Sequence, residues 1–363
     1  MESDLPNSES HLNAGAPGKR SLNPHREIRG VSIRIDPPHN EIPHSRRNRR
    51  WRVALLQGGD SAERPISLQS GAEVEDALRS AGHVVIPLDP ASESLEDFDW
   101  SRVDLAFLVL HGTHGEDGHI QQQLDDIDIP YTGSGVRASH LAFHKQLAKE
   151  QFLQAGLRTP DFYVIEITDP ISSIREYADK LGFPLVVKPS AQGSSLGVMI
   201  VHEERGLAEA VQLARELDDT ILLERYIPGE EWTVPILDDR VLPPIQIGTS
   251  HHFFDFDAKY IDHQTDYQVV VGSENELAAQ IQQVSLQACQ VLGCRGISRV
   301  DLRVDDQKRI WILEVNTIPG MTSHSLVPKS AASYGWTMSR LCEEIIHSAL
   351  QNHTRSKHLT VTR

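Results

Sequence analysis

Two β-rich runs, GISRVDLRV and RIWILEV, flank the turn signal Asp305-Asp306-Gln307-Lys308, and this hairpin constrains the 363-residue chain more than any other stretch. With an even loop count, position 299 faces 314 and position 301 faces 312. Side chains alternate along each strand. Val300, Leu302, Val304, Trp311, Leu313 and Val315 then share an apolar face, and Arg299, Asp301, Glu314 and Asn316 share the other. Asp301 and Glu314 become diagonal neighbours, roughly 7 Å apart at the backbone. Two carboxylates and an amide oxygen suit a hard cation such as Mg²⁺ or Mn²⁺ better than zinc. The same alternation also fits a solvated face carrying a cross-strand Arg299–Glu314 pair.

Around this hairpin the chain reads as an α/β protein. RVALLQGG, HVVIPLD and DLAFLVLHG look like buried strands, with a helix over 66–82 between the first two. Strands alternating with helices predict a parallel sheet over 51–133. The spacing predicts one helix over 137–155, a strand pair PLVVKPS and VMIVH around a Gly/Ser loop, a helix over 203–217 and the strand TILLERYI. EWTVPILDD and VLPPIQIG, a helix over 275–292, the hairpin and a closing helix over about 335–350 complete the body. Residues 1–50 show no period that could pack a face and read as a basic, disordered tail, and 351–363 as a frayed end.

Two loops carry candidate chemistry. In Lys188-Pro189-Ser190-Ala191-Gln192-Gly193-Ser194-Ser195-Leu196-Gly197, backbone N–H groups can point at phosphate oxygens that Lys188 would neutralise. It is not a P-loop, because no Gly-Lys-Ser/Thr is present, and a plain turn has the same composition. Gly58-Gly59-Asp60-Ser61-Ala62-Glu63-Arg64 lacks dinucleotide spacing. Glu63 near a helix N-terminus would repel a pyrophosphate and suits an amine, or else only caps the helix.

Taken together, GGDSAER (58–64), HGTHGEDG (111–118), PYTGSG (130–135), KPSAQGSSLG (188–197), DAKY (257–260), SRVD (298–301) and EVNTIPGMTSHSLVP (314–328) resemble the D-alanine–D-alanine ligase family of the ATP-grasp superfamily. The resemblance spans about 51–350. It implies three domains: a Rossmann-like parallel sheet (51–133), a central ATP-grasp part (134–224) and a C-terminal catalytic part (225–350). It implies ATP as co-substrate, with Lys145, Lys188, Ser195 and Lys259 toward its phosphates and Glu224, Ile227 and Glu231 toward adenine and ribose. Asp301, Glu314 and Asn316 would hold two Mg²⁺ or Mn²⁺ ions, and Arg299 with the Gly320 N–H would stabilise an oxyanion. Glu63, Ser194 and Tyr260 would position a first D-alanine near His111, and Ser325 would meet a second substrate's carboxylate. The implied product is D-alanyl-D-alanine for peptidoglycan, with a D-alanyl-D-lactate former or a non-catalytic ATP-binding regulator as alternatives. Closure over a reactive intermediate would fall to 192–197 and to the stretch around 248–266. Phe143-His144, Gln192 and Arg225 depart from the usual family pattern.

Charge and cysteine content limit the remaining options. Formal charge is −16; residues 1–50 carry nine Lys/Arg against six Asp/Glu, so the rest carries −19 (−16 minus +3). Such a body repels nucleic acid and anionic membrane despite the Arg46–Arg50 run. Three cysteines fit a reducing compartment, no apolar run approaches the ~18 residues of a membrane span, and MESDLPNSES lacks a signal-peptide core. The expectation is a soluble cytoplasmic enzyme with small-molecule substrates, a homodimer if it follows the family.

Overall fold

The computed structural model describes residues 49–248, 266–271 and 275–361. Its first section is the expected parallel sheet: β1 (Arg52–Leu56), β2 (Val84–Leu88) and β3 (Leu105–Leu108), in the order β2-β1-β3. Alternation sorts β1 between two cores. Val53 and Leu55 pack with the helix Arg64–Ser80, while Ala54 and Leu56 join Ile120 and Leu124 on the opposite face. A strand covered on both faces reads as continuous apolar sequence, which is why RVALL carries no polar alternation.

The second section is antiparallel. Strands β4 (Phe162–Glu166), β5 (Leu185–Pro189), β6 (Met199–Val201) and β7 (Thr220–Arg225) lie in the order β4-β7-β5-β6. Helices Ile171–Leu181 and Leu207–Arg215 cover one face with Ile174, Ala178, Leu207 and Val211. The third section holds β8 (Glu230–Leu237), β9 (Arg240–Val241), β10 (Ile245–Gly248), β11 (Asp266–Val269), β12 (Ile297–Val304) and β13 (Ile310–Asn316). Its order is β11-β10-β8-β12-β13, with β9 pairing β8. The helix Glu276–Leu292 covers this sheet through Ile281, Leu286 and Cys289.

Several expected elements differ. The helix expected over 137–155 is two, Val136–Phe143 and Lys145–Gln154, broken where His144 is extended (φ −84°, ψ 95°). Ala142, Ala148 and Phe152 of this pair pack into the core of the third sheet, although the sequence reading groups them with the central section. The stretch 203–217 starts as a 3₁₀ turn, Glu204–Gly206, before its helix. The closing helix forms as Met338–Val361 but runs on through the segment expected to fray, and an additional short helix, Leu326–Ser333, precedes it. Leu341, Ile345 and Ile346 of that last helix bury against the N-terminal sheet's core, which sequence proximity could not reveal. Among the described residues no helix is long and apolar enough to cross a membrane. The expected tail lies outside the described residues up to Asn48; Arg49 stacks its guanidinium 3.9 Å from the Trp51 ring.

Candidate active site

The hairpin forms with a different register. Arg299 pairs with Asn316, Val300 with Val315 and Asp301 with Glu314; then the ladder slips, and Leu302 pairs with Ile312. Leu313 is the extra residue of a β-bulge. Asp301 and Glu314 are therefore directly opposite rather than diagonal, which brings their carboxylates closer than the even-loop reading predicts. The slip also exchanges faces: Ile310 and Ile312 join Val300, Leu302 and Val315 in the core, while Leu313 turns toward a cleft.

That cleft lies between the two antiparallel sheets, about 640 Å³ and open to solvent. β5 supplies Lys188, β7 Glu224, β8 Glu231, β12 Asp301 and Arg303, and β13 Glu314; Lys145, Ser195 and Ile227 complete the wall. Breaking the helix at His144 makes Lys145 the first residue of the next helix, with its N–H on Ser190 O at 3.0 Å. Its buried ammonium donates to Gln192 O at 2.6 Å and lies 3.4 Å from Glu314 Oε2. The departures at His144 and Gln192 thus sit at a helix break and on a carbonyl that Lys145 grips. Arg225 also borders the cleft, and its guanidinium pairs with Asp161 at 3.1 Å.

Glu224 is almost fully buried, and the ammonium groups of Lys149 and Lys188 lie 2.8 and 2.9 Å from its Oε2. These are close ion pairs without hydrogen-bond alignment on that oxygen. Burial raises the Glu224 carboxyl, but the two cations outweigh it and hold the group below its usual range. Burial pushes Lys149 down to about 8, against the pull of Glu224. Sequence reading missed Lys149. The available signal was its position one helical turn after Lys145, on the same face.

Asp301 is held on every side. Thr233 Oγ1 donates to it at 2.6 Å, Arg299 Nε and Nη2 at 2.9 and 2.7 Å, and Asn316 Nδ2 at 3.1 Å. Asp301, Glu314 and the Asn316 carbonyl remain an all-oxygen donor set on one face, consistent with a hard divalent cation. No group of three or more His, Cys, Asp or Glu side chains suited to a metal occurs among the described residues.

At the other end, Glu63 stands at the N-terminus of the helix Arg64–Ser80, and Ser194 Oγ donates to its carboxylate. Ser194 and Ser195 adopt left-handed backbone, with φ 50° and 57°. A Cβ on Gly193 would overlap the Glu63 carboxylate as it now lies, so a side chain there would displace that carboxylate. His111 is buried, with Nε2 3.4 Å from Ser70 Oγ; burial, reinforced by Arg299, pushes its imidazole down to about 4. Glu116 is a second residue missed. It accepts from the Gly112 N–H at 3.2 Å, and burial plus the nearby Glu63 charge raises its carboxyl well above the usual range. Its signal lay within HGTHGEDG. Ser325 immediately precedes the helix Leu326–Ser333; its Oγ accepts from the Thr322 N–H at 3.0 Å and would lie 2.8 Å from a Cβ at Gly320. Lys259, Tyr260 and most of the expected 248–266 closure lie outside the described residues.

Two antiparallel sheets facing across a cleft lined by lysines and carboxylates, appended to a parallel sheet, define an ATP-grasp protein. Residues 89–134 match the family described as D-ala D-ala ligase N-terminus, and 152–347 its C-terminus. A D-alanine--D-alanine ligase of Pseudomonas putida (strain GB-1) is 42% identical over 295 residues, covering 81% of this chain and 92% of that protein. The crystal structure of D-alanine--D-Alanine Ligase from Bacillus anthracis matches with TM-score 0.76 and 36% identity, covering 84% of this chain and 99% of that one. The same enzyme complexed with ATP gives 0.74 and 33%, covering 84% and 99%. The chain belongs to the D-alanine–D-alanine ligase family.

Proposed function

We propose that this protein joins two D-alanine molecules into D-alanyl-D-alanine for peptidoglycan synthesis, consuming ATP and releasing ADP and phosphate. The observation that carries this reading is the Glu63–Ser194 contact, which ties an amine-binding carboxylate to the loop that borders the lysine-lined cleft. A cationic amino group fits beside Glu63, and an anionic polyphosphate fits beside Lys145 and Lys188. The first D-alanine's carboxylate then attacks the γ-phosphorus, forming an acyl phosphate. Lys145 and Lys188 offset the repulsion between the two anions, and Arg299 with the Gly320 N–H receives the oxyanion of the second step. Glu224, Ile227 and Glu231 face the base and ribose side. The neutral amine of the second D-alanine attacks the acyl carbon, its carboxylate toward Ser325, and phosphate leaves.

His111, neutral at pH 7, offers a hydrogen bond without adding charge beside the first substrate's ammonium. Lys259 and Tyr260 belong to the family pattern for the γ-phosphate and first D-alanine, and Ser195 to that for the phosphates. Asp301, Glu314 and Asn316 would hold Mg²⁺ or Mn²⁺, which supplies charge neutralisation for phosphoryl transfer. The Gly/Ser loop at 192–197 excludes water from the acyl phosphate when it closes. Small, polar substrates support a cytoplasmic site of action, and a homodimer follows from the family resemblance. Neither a depsipeptide product nor a non-catalytic role is favoured, because the relatives are named as D-alanine–D-alanine ligases.

ADP release from the purified protein, with D-alanine, L-alanine, D-serine and D-lactate supplied singly and in pairs, tests the reading. Turnover with D-alanine alone is expected, with Glu63→Gln raising the KM of the first D-alanine by about 10- to 100-fold, the worth of a charge-assisted hydrogen bond. ATP KM stays constant. No ADP release with D-alanine, or faster turnover when D-lactate is added, refutes the proposal.

A further inference from the structure

The helix Glu276–Leu292 ends in a Schellman turn. Gly293 is left-handed (φ 77°), its N–H donates to Gln290 O at 3.1 Å, and the Cys294 N–H returns to Cys289 O at 2.9 Å. This closure brings together the side chains of the fourth-last helical residue, Cys289, and the second residue after the helix, Cys294. In most helices those two are apolar partners. Here both are cysteines. The 2.9 Å N···O contact, with one short covalent path to each Cα, holds the Cα atoms within about 7 Å, inside or near the range a disulfide spans.

The two thiols differ in character. Cys289 is buried, while Cys294 is partly exposed. The neighbouring Cys289 thiol brings the Cys294 thiol below its usual value, against the effect of burial. Ser298 is fully buried, and its hydroxyl has no hydrogen-bond partner among the described residues. The surrounding backbone is firmly held: Ser134 Oγ donates to Arg295 O at 3.1 Å and accepts from its N–H at 3.2 Å. The third cysteine, Cys342, is fully buried, and burial raises its thiol far above the usual value.

From this arrangement we infer that Cys289 and Cys294 are a modification site, a dithiol that a hydroperoxide closes to an intrachain disulfide. The Cys294 thiol sheds its proton and the thiolate attacks the hydroperoxide's terminal oxygen; the O–O bond breaks, and the departing hydroxide, or alkoxide of an organic hydroperoxide, takes up that proton to leave as water or alcohol. Cys294 is then a sulfenic acid. The Cys289 sulfur attacks it, the S–O bond breaks, and water leaves with the Cys289 proton. Two electrons pass from the thiols to the peroxide, and a small dithiol reverses the link by exchange.

The experiment treats the full, folded chain with hydrogen peroxide, then counts thiols after quenching and maps peptides by mass. The expected result is loss of two of the three thiols and a Cys289–Cys294 linked peptide lighter by two hydrogens, both restored by dithiothreitol. Cys294 is alkylated by iodoacetamide at least about tenfold faster than Cys342, as its greater thiolate fraction requires. In Cys289→Ser the oxidation stops at a dimedone-reactive sulfenic acid on Cys294. In Cys294→Ser the Cys289 thiol survives. Three intact thiols in the treated native chain, a link formed only between chains, or equal oxidation of Cys289 in Cys294→Ser overturns the inference.

Discussion

Replacing Lys149 by methionine tests the charge arrangement behind the cleft. Lys149 is fully buried; its ammonium lies 2.8 Å from Glu224 Oε2 and donates to Thr159 Oγ1 at 2.6 Å, and that hydroxyl donates to Ile312 O at 2.8 Å. Methionine fills similar volume, so little of the effect comes from a cavity. What remains is a buried Glu224 with Lys188 as its surviving close cation. Breaking one partner of a buried ion pair costs about 3–5 kcal/mol, and the retained Lys188 places the expected loss at the lower end, about 3 kcal/mol. Urea unfolding followed by tryptophan fluorescence measures it. The ATP KM rises in the same variant, because Glu224 draws Lys188 away from the phosphates. Adding Glu224→Gln removes the uncompensated carboxylate, so Lys149→Met/Glu224→Gln recovers at least about 1 kcal/mol relative to the single variant. A Lys149→Met protein within about 1 kcal/mol of wild type, or a double variant with additive losses, refutes the reasoning that the three groups are ionised and coupled.

Glu314→Gln is expected to lower turnover by at least about 100-fold with an unchanged unfolding midpoint, because it weakens the oxygen donor set while keeping shape; chelation of divalent cations abolishes wild-type turnover, and Mg²⁺ or Mn²⁺ restores it. His111 makes stability pH-dependent: its imidazole titrates near 6.5 unfolded and about 4 folded, so between those values the unfolded chain binds the extra proton. Its contribution is complete above about pH 6.5 and is lost as pH falls toward 4, about 3 kcal/mol in all. His111→Asn flattens the urea-measured stability profile over that window, and an unchanged slope contradicts the assignment.

What the sequence by itself determined lies where local pattern and physical constraint coincide. The apolar run RVALL can only be a strand covered on both faces, and it is β1 of a parallel sheet. The order of GGDSAER, HGTHGEDG, KPSAQGSSLG and EVNTIPGMTSHS was enough for the family, because those residue types at those spacings answer to chemistry rather than to packing. Tertiary structure decided the rest. The Asp301–Glu314 pairing depends on a bulge at Leu313, and a period-two pattern contains no mark of one inserted residue. Lys149 looks like any helical surface lysine until Glu224, distant in sequence, is brought against it. The helix Met338–Val361 docks on the sheet that begins the chain, since the apolar stripe Leu341–Ile345 states only that something must cover it. Periodicity names a buried face; the partner for that face is chosen by long-range packing, which a local window does not contain.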